Sequence, residues 1–290
     1  MPPRPPPDTV AVRFVDFAIR AWRTDPQHVE VIAHSTPVGG MRHPVSLRQP
    51  RIRPADVEIG FSHSLDRAAE VGRDLARALE GLASEGTRRG VDFLMSYPIF
   101  EDDKIFIAAA YVERGEIKAI HRKLNLVNYG HYTEDRNFDS GNSFTVVSTR
   151  LGAMGILICE DLWHPVNAAV CASRGMEVLL APSAPGVPDP SRARDNMEEW
   201  KILLRGTAFS LTTPILCATQ GGREGSMAFN GGSFALSPEG EVLLELPLLE
   251  EAEGDVEIDR DALEALRRRR PLLANERHDL YAAAFGSRGA

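Results

Sequence analysis

The residues best suited to covalent chemistry lie in GILICEDLWHP (155–165), where Cys159 closes an apolar run and a helix is about to begin. A thiol in that position stands at the carboxyl edge of a sheet. The helix start behind it supplies N–H donors and a positive dipole end, which favour the thiolate that attacks electrophilic carbon. The same pattern fits a buried core cysteine equally well, because free cysteine packs as a small hydrophobe. Cys171, in a predicted helix, and Cys217, in an apolar strand, have no polar neighbours arranged for catalysis and are expected in the core. A second polar segment, HRKLNLVNYGHYTEDRNFDSG (121–141), places Lys123 at the end of a predicted strand and Glu134 in the loop beyond. An ammonium beside a thiolate would stabilise it and then hold a developing oxyanion. Taken alone, such a lysine reads as solvated surface.

The elements that must position these residues follow from hydropathy patterning. Short apolar runs bounded by turn signals predict strands over 91–100, 104–115, 116–126, 143–152, 153–159, 176–186, 213–222 and 231–248. The run at 176–186 is apolar on both faces, as a buried strand should be. Four segments have helical spacing: 64–86, 164–175, 193–211 and 259–270. Pro165 and Gly175 bracket the second with the expected asymmetry. Strands with interspersed helices predict an α/β class of sheets covered by helices. There is no internal repeat or interior linker. We therefore expect a flexible proline-rich tail over 1–8 and a single domain over 9–285, with an atypical N-terminal part at 9–60. In that part, 8–17 and 29–35 read as strands, and 37–57, with Pro37, Pro44, Pro50 and Pro54, reads as loop.

Composition narrows the function classes. A net charge of −8 gives no basic footprint for nucleic acid. The run Arg267–Arg270 is expected to close a helix, where cations complement the dipole. Three cysteines, an odd number, argue against a disulfide framework and suit a reducing cytoplasm. No apolar stretch is long enough to span a membrane, and the N-terminus lacks the apolar core of a signal peptide. P-loop, dinucleotide and zinc spacings are absent, so neither a metal nor a cofactor is expected.

The ordered motifs carry more than any one of them does. RKL after a strand, then NYG, Glu134 and the Phe138–Gly141 pair, then the strand ending in CEDLWHP, resemble the nitrilase superfamily of carbon–nitrogen hydrolases. LLAPSAPG (179–186), GGSFALSPEGEVL (231–243) and the segment 271–281 agree, so the likeness covers about residues 90–282. The nearest likeness is to amidase branches, including glutamine-hydrolysing domains attached to NAD synthetases. It implies a four-layer αββα sandwich of two mixed sheets flanked by helices, and a homodimer. It also implies Cys159 as nucleophile, Lys123 as stabiliser of the oxyanion, and Glu134 as the glutamate that many members keep beside the lysine. Glu160, Trp163, Tyr129 and Ser183 would line the substrate pocket. The implied reaction is two-step acyl transfer from a small linear amide or nitrile, releasing ammonia or an amine.

The chain departs from the family at one place. Where a glutamate base should end the second strand, 29–37 offers His34, Ser35 and Thr36. Glu101 is the leading substitute base, with Glu58 and His34 behind it. A non-catalytic binding module that kept the fold is the alternative, and an acyltransferase using the same cysteine is a third reading. His164, five residues after Cys159 at a helix start, reads most simply as a helix cap.

Overall fold

A computed structural model describes residues 12–16, 42–49, 51–52, 92–130, 132–224, 227–250 and 252–286. Two six-stranded sheets form its centre. The first comprises β1 (Val12–Asp16), β2 (Arg42–Gln49), β4 (Asp92–Glu101), β5 (Lys104–Glu113), β6 (Glu116–Arg122) and β16 (Ala252–Asp259), in the order β16-β2-β1-β4-β5-β6. β1 lies parallel to both neighbours, whereas the outer pairs are antiparallel. The second comprises β7 (Thr145–Thr149), β8 (Gly152–Ile156), β9 (Val178–Ser183), β11 (Ile215–Thr219), β14 (Phe234–Leu236) and β15 (Val242–Glu245), in the order β15-β14-β11-β9-β8-β7. Its inner strands β8, β9 and β11 are parallel. A four-stranded sheet of β3 (Arg51–Ile52), β10 (Gly186–Val187), β12 (Gly221–Glu224) and β13 (Met227–Asn230) continues from the chain that leaves β9 and β11.

The period-2 alternation of strands sorts the side chains into two cores. Leu94, Ala109 and Tyr111 of the first sheet meet Met154, Ile156, Leu180, Leu216 and Ala218 of the second, and this layer joins the sheets. The residues between them, Leu179, Ala181, Ile215, Cys217, Phe234 and Leu236, face the helices instead. Those helices are α1 (Pro165–Ser173) and α2 (Ala193–Leu211). Met197, Trp200, Leu204, Ala208 and Leu211 give α2 its buried stripe at helical spacing. At Gly155 a Cβ would collide with the Met176 side chain, so only glycine lets the turn after α1 seat on β8. α3 (Arg260–Arg269) starts on the Asp259 carboxylate, which accepts from Ala262 N at 2.9 Å. Its last turn carries Arg267, Arg268 and Arg269, as expected. Arg267 also reaches across to donate to the Thr212 carbonyl at the end of α2 at 3.1 Å and to the Met176 carbonyl beyond α1 at 2.9 Å.

The α/β class with two mixed sheets and covering helices is the one observed. The helix expected over 64–86 and the strand over 29–35 lie outside the described residues. Three elements correct the expectations. Residues 42–49, expected as loop, form β2 in the interior of the first sheet. Pro44 and Pro50 fall near its ends, leaving a proline-free run at 45–49 that pairs on both sides. β16 was hidden in an acidic stretch whose alternation brings Val256 and Ile258 inward. The third is α4 (His278–Gly286), which has no buried residue. Among the described residues, no helix is long and apolar enough to cross a membrane, and no group of His, Cys, Asp and Glu could hold a metal ion.

Candidate active site

Cys159 stands where β8 gives way to a short 3-10 turn, Cys159–Trp163, and α1 follows. Its φ of 49° lies in the left-handed region that non-glycine residues avoid. Strain of this kind persists only where the surroundings over-determine it, and it commonly marks a functional turn. The half-buried side chain touches both cores at the carboxyl edge of the second sheet. Cys171 and Cys217 are fully buried.

Lys123 enters from the other sheet. It follows β6 directly, and its N–H bonds to the Ile107 carbonyl at 2.8 Å, continuing the ladder by one residue. Its side chain is only 1% exposed, and Nζ donates to both Glu134 oxygens at 2.7 and 2.6 Å. Glu134 rides a 3-10 turn, Glu134–Arg136, and also accepts from Val127 N at 2.9 Å. Gly141 donates its N–H to the Lys123 carbonyl at 2.7 Å, and a Cβ there would strike the Arg122 carbonyl. The segment 134–141 is therefore clamped onto the end of β6.

The electrostatics of the pair correct one expectation. Burial disfavours charge on Lys123, but the negative charges it faces, Cys159 whenever it ionises and the Glu134 carboxylate bonded to Nζ, outweigh it and raise its pKa. Lys123 is thus a fixed ammonium. Burial also pushes the Cys159 thiol up, and the pull of Lys123 and the Ala184 N–H towards thiolate does not cancel this. The dipole argument from the sequence favours the thiolate. Desolvation wins, so the resting group is the thiol, and attack on substrate requires its proton to be taken.

The other expected residues divide into near and far. Glu160, 6% exposed, accepts from Tyr129 Oη at 2.8 Å and lies 3.5 Å from His164 Nε2. His164 occupies the cap position of α1, but its side chain makes no capping bond and turns to Glu160 instead. Burial and the Glu160 bond push the Tyr129 phenol up to about 12, so it remains a donor. Ser183 ends β9 in the buried layer, one residue before Ala184. Trp163 packs edge-on to Trp200 with centroids 5.5 Å apart, so it backs the cysteine turn from the helix side. Glu101 does not join the site. It pairs with Arg122, whose guanidinium lies over Phe106, on the face of the first sheet opposite Lys123 and the inner core. Glu58 and His34 lie outside the described residues.

Sequence reasoning missed Asp161, His121, Asn125 and Asn167. Asp161 is wholly buried and accepts from the backbone N–H groups of Leu124, Asn125 and Ile158 at 2.9, 2.7 and 3.0 Å. Its one available signal was a short acceptor two residues after the candidate nucleophile, at the start of a turn. Tyr132 was also missed. Its hydroxyl donates to the Gly186 carbonyl at 3.2 Å and accepts from the Gly186 N–H at 3.1 Å, tying the Lys123 loop to the segment after Ala184.

Known proteins resemble this chain to different extents. A glutamine-dependent NAD(+) synthetase of Thermotoga maritima is 31% identical over 195 residues, 65% of this chain and 32% of that one. An N-carbamoylputrescine amidase of Arabidopsis thaliana is 28% identical over 171 residues, 56% of this chain and 57% of the amidase. The chain thus spans about a third of the first relative and somewhat over half of the second. Among solved structures, an amidase from Nesterenkonia sp. AN1 superposes with a TM-score of 0.64 at 25% identity, over 85% of this chain and 98% of that one. That structure is of a glutamate-to-glutamine mutant of the amidase and shows covalent addition of the acetamide moiety of fluoroacetamide at the active-site cysteine. The carbon-nitrogen hydrolase family model matches residues 59–268, which hold Lys123, Glu134 and Cys159. With the motifs, the sandwich and the sequence match all pointing one way, the chain belongs to the carbon–nitrogen hydrolase family.

Proposed function

We propose that the chain hydrolyses a small linear amide or nitrile through an acyl-enzyme on Cys159. The observation that carries this reading is a strained turn that presents a thiol beside a buried ammonium and a backbone donor. The sulfur attacks the amide carbon as its proton leaves. Negative charge then develops on the substrate oxygen, where Lys123 Nζ stabilises it, with the backbone N–H after Cys159 as a second donor. On an amide, the proton taken from the sulfur passes to the nitrogen, and collapse expels ammonia or an amine and leaves a thioester. A nitrile first gives a thioimidate, which adds water before ammonia leaves and the same thioester remains. Water attacks the thioester to release the acid and return the thiol.

Both steps move a proton, so a base must stand near the sulfur. Among the described residues, two carboxylates influence the thiol, Glu134 and Glu160. Glu134 is shared with Lys123, and Glu160 with Tyr129. E134Q and E160Q separate their roles, because the true base gives the larger loss in kcat and removes the acid limb of the pH profile. The surroundings favour a polar substrate. Gln220 follows β11 at the same sheet edge, and its Nε2 is buried without a partner among the described residues, as is Asn230 Oδ1 behind Pro185. A substrate with donors and acceptors flanking its amide would satisfy such groups better than an apolar one.

The test is intact-protein mass with ammonia release across a panel of small amides and nitriles. A Cys159 adduct with turnover supports the reading. An adduct without turnover would mean that the thiol acylates but no base drives deacylation. Neither adduct nor ammonia over a broad panel would favour the non-catalytic binding module.

A further inference from the structure

We propose that Asp161 is the positioning residue that holds Lys123 and Cys159 in register, with His121 as its buried support; the inference rests on the thiol-hydrolase reading of this site. The Asp161 carboxylate has no solvent exposure and accepts four hydrogen bonds. Leu124 N and Asn125 N donate to Oδ1 at 2.9 and 2.7 Å, and Ile158 N and His121 Nε2 meet Oδ2 at 3.0 and 3.1 Å. These partners are not scattered. His121 and Leu124 bracket Lys123 in the sequence, while Ile158 and Asp161 itself bracket Cys159.

The bracket matters because Lys123 and Cys159 belong to different sheets. Facing sheets meet through side chains, and packed side chains alone leave freedom for sliding along the strands. One carboxylate spanning the gap removes that freedom at the reacting atoms. Two further contacts fasten the same segments. Asn167 Nδ2 donates to Asn125 Oδ1 at 2.7 Å and to the Asp161 carbonyl at 2.9 Å. His121 Nδ1 reaches Thr145 Oγ1 at 3.1 Å, on the edge strand of the second sheet. A carboxylate only accepts, so His121 Nε2 is the donor. A neutral ring with Nδ1 accepting from Thr145 satisfies both contacts.

Burying a carboxylate is costly unless its lone pairs are filled, and four donors fill them here. An asparagine at 161 would fit the space but turn an N–H₂ group towards one of those donors. It would loosen the segment after Lys123, let the ammonium drift from the sulfur, and raise the thiol pKa. A through-space effect has the opposite sign, since removing a nearby negative charge lowers a thiol pKa. The direction of change therefore separates a strut from a mere charge.

The experiment is alkylation of Cys159 by iodoacetamide as a function of pH, followed by peptide mass. Cys171 and Cys217 are fully buried, so Cys159 reports on the site. The expected result for D161N is a rate about tenfold lower at about pH 8, recovering at higher pH, as a rise of roughly one unit in thiol pKa requires. H121L should shift the rate the same way, whereas H121Q, which keeps a donor within reach of Asp161, should stay within about twofold of wild type. Faster alkylation in D161N, or rates unchanged in both D161N and H121L, overturns the proposal. If D161N does not fold, H121L against H121Q decides, and equal rates for those two overturn it. Alkylation needs no turnover, so the two readings fail separately. Slowed variants of a wild type that hydrolyses nothing sink the hydrolase reading alone. Hydrolysis by wild type with unmoved variant profiles sinks the strut alone.

Discussion

Two buried ionic clusters sit at opposite ends of β6, and only one is arranged for chemistry. At the end where the strand begins, Asp92 is wholly buried and accepts from Arg150 Nε at 2.8 Å, Arg114 N at 3.2 Å and Tyr111 Oη at 3.4 Å. At the end where the strand finishes, Lys123 pairs with Glu134 beside Cys159. Both clusters cross from the first sheet to the chain of the second, and both shift pKa values by burial. A buried ion pair is therefore no mark of a site in this molecule. The Lys123 end differs in holding a thiol on a left-handed turn, at the carboxyl edge of parallel strands, with a donor N–H aimed at it. Ligands of open α/β sheets gather at such edges.

The sharpest way to break this contrast is C159A. Turnover should fall by at least about 10³-fold, with unfolding temperature little changed, because the half-buried side chain loses only its sulfur. Near-parental hydrolysis of amides by that variant would refute the nucleophile. K123A should cost about 3–4 kcal/mol of transition-state stabilisation, read as a loss in kcat larger than any rise in KM. The same kind of substitution at the other end should separate stability from activity. R150M leaves the buried Asp92 without its cation and should destabilise by about 2 kcal/mol in denaturant unfolding, with kcat retained. Loss of kcat there would mean the two clusters are coupled through β6.

The smallest effect is in the acid range. Burial raises the Asp92 pKa above its ordinary value, against the pull of Arg150. A group raised on folding is most favourable when protonated, so its contribution is fully present below the unfolded pKa and lost as pH rises through the folded one. The unfolding temperature of wild type relative to D92N should therefore rise as the pH falls through this range. A relative fall on acidification would mean that the Arg150 pairing outweighs desolvation.

Much of this was legible from local chemistry. The strands at 104–113 and 176–186, the helix at 193–211 and the Arg-rich end of 260–269 follow from hydropathy period and capping, which depend on near neighbours. The pairing of Lys123 and Glu134 followed from the family motif, and they sit eleven residues apart in one loop. β2 and β16 were not legible, since each takes its place by pairing with strands distant in sequence, including each other. Glu101 was misjudged for a related reason. Its nearness to the end of β4 was readable, but its face was not, and the pairing with Arg122 turns it to the outer side.

The sequence by itself determined which residues could do chemistry, because a thiol at a strand end and a lysine after another strand are properties of short segments. Only the tertiary structure decided that they meet, that burial pushes the thiol pKa up, and that Asp161 bonds to segments beside both of them. Desolvation and hydrogen bonds across 36 or 37 positions of chain arise when distant segments exclude water together, and no window of local sequence contains that event.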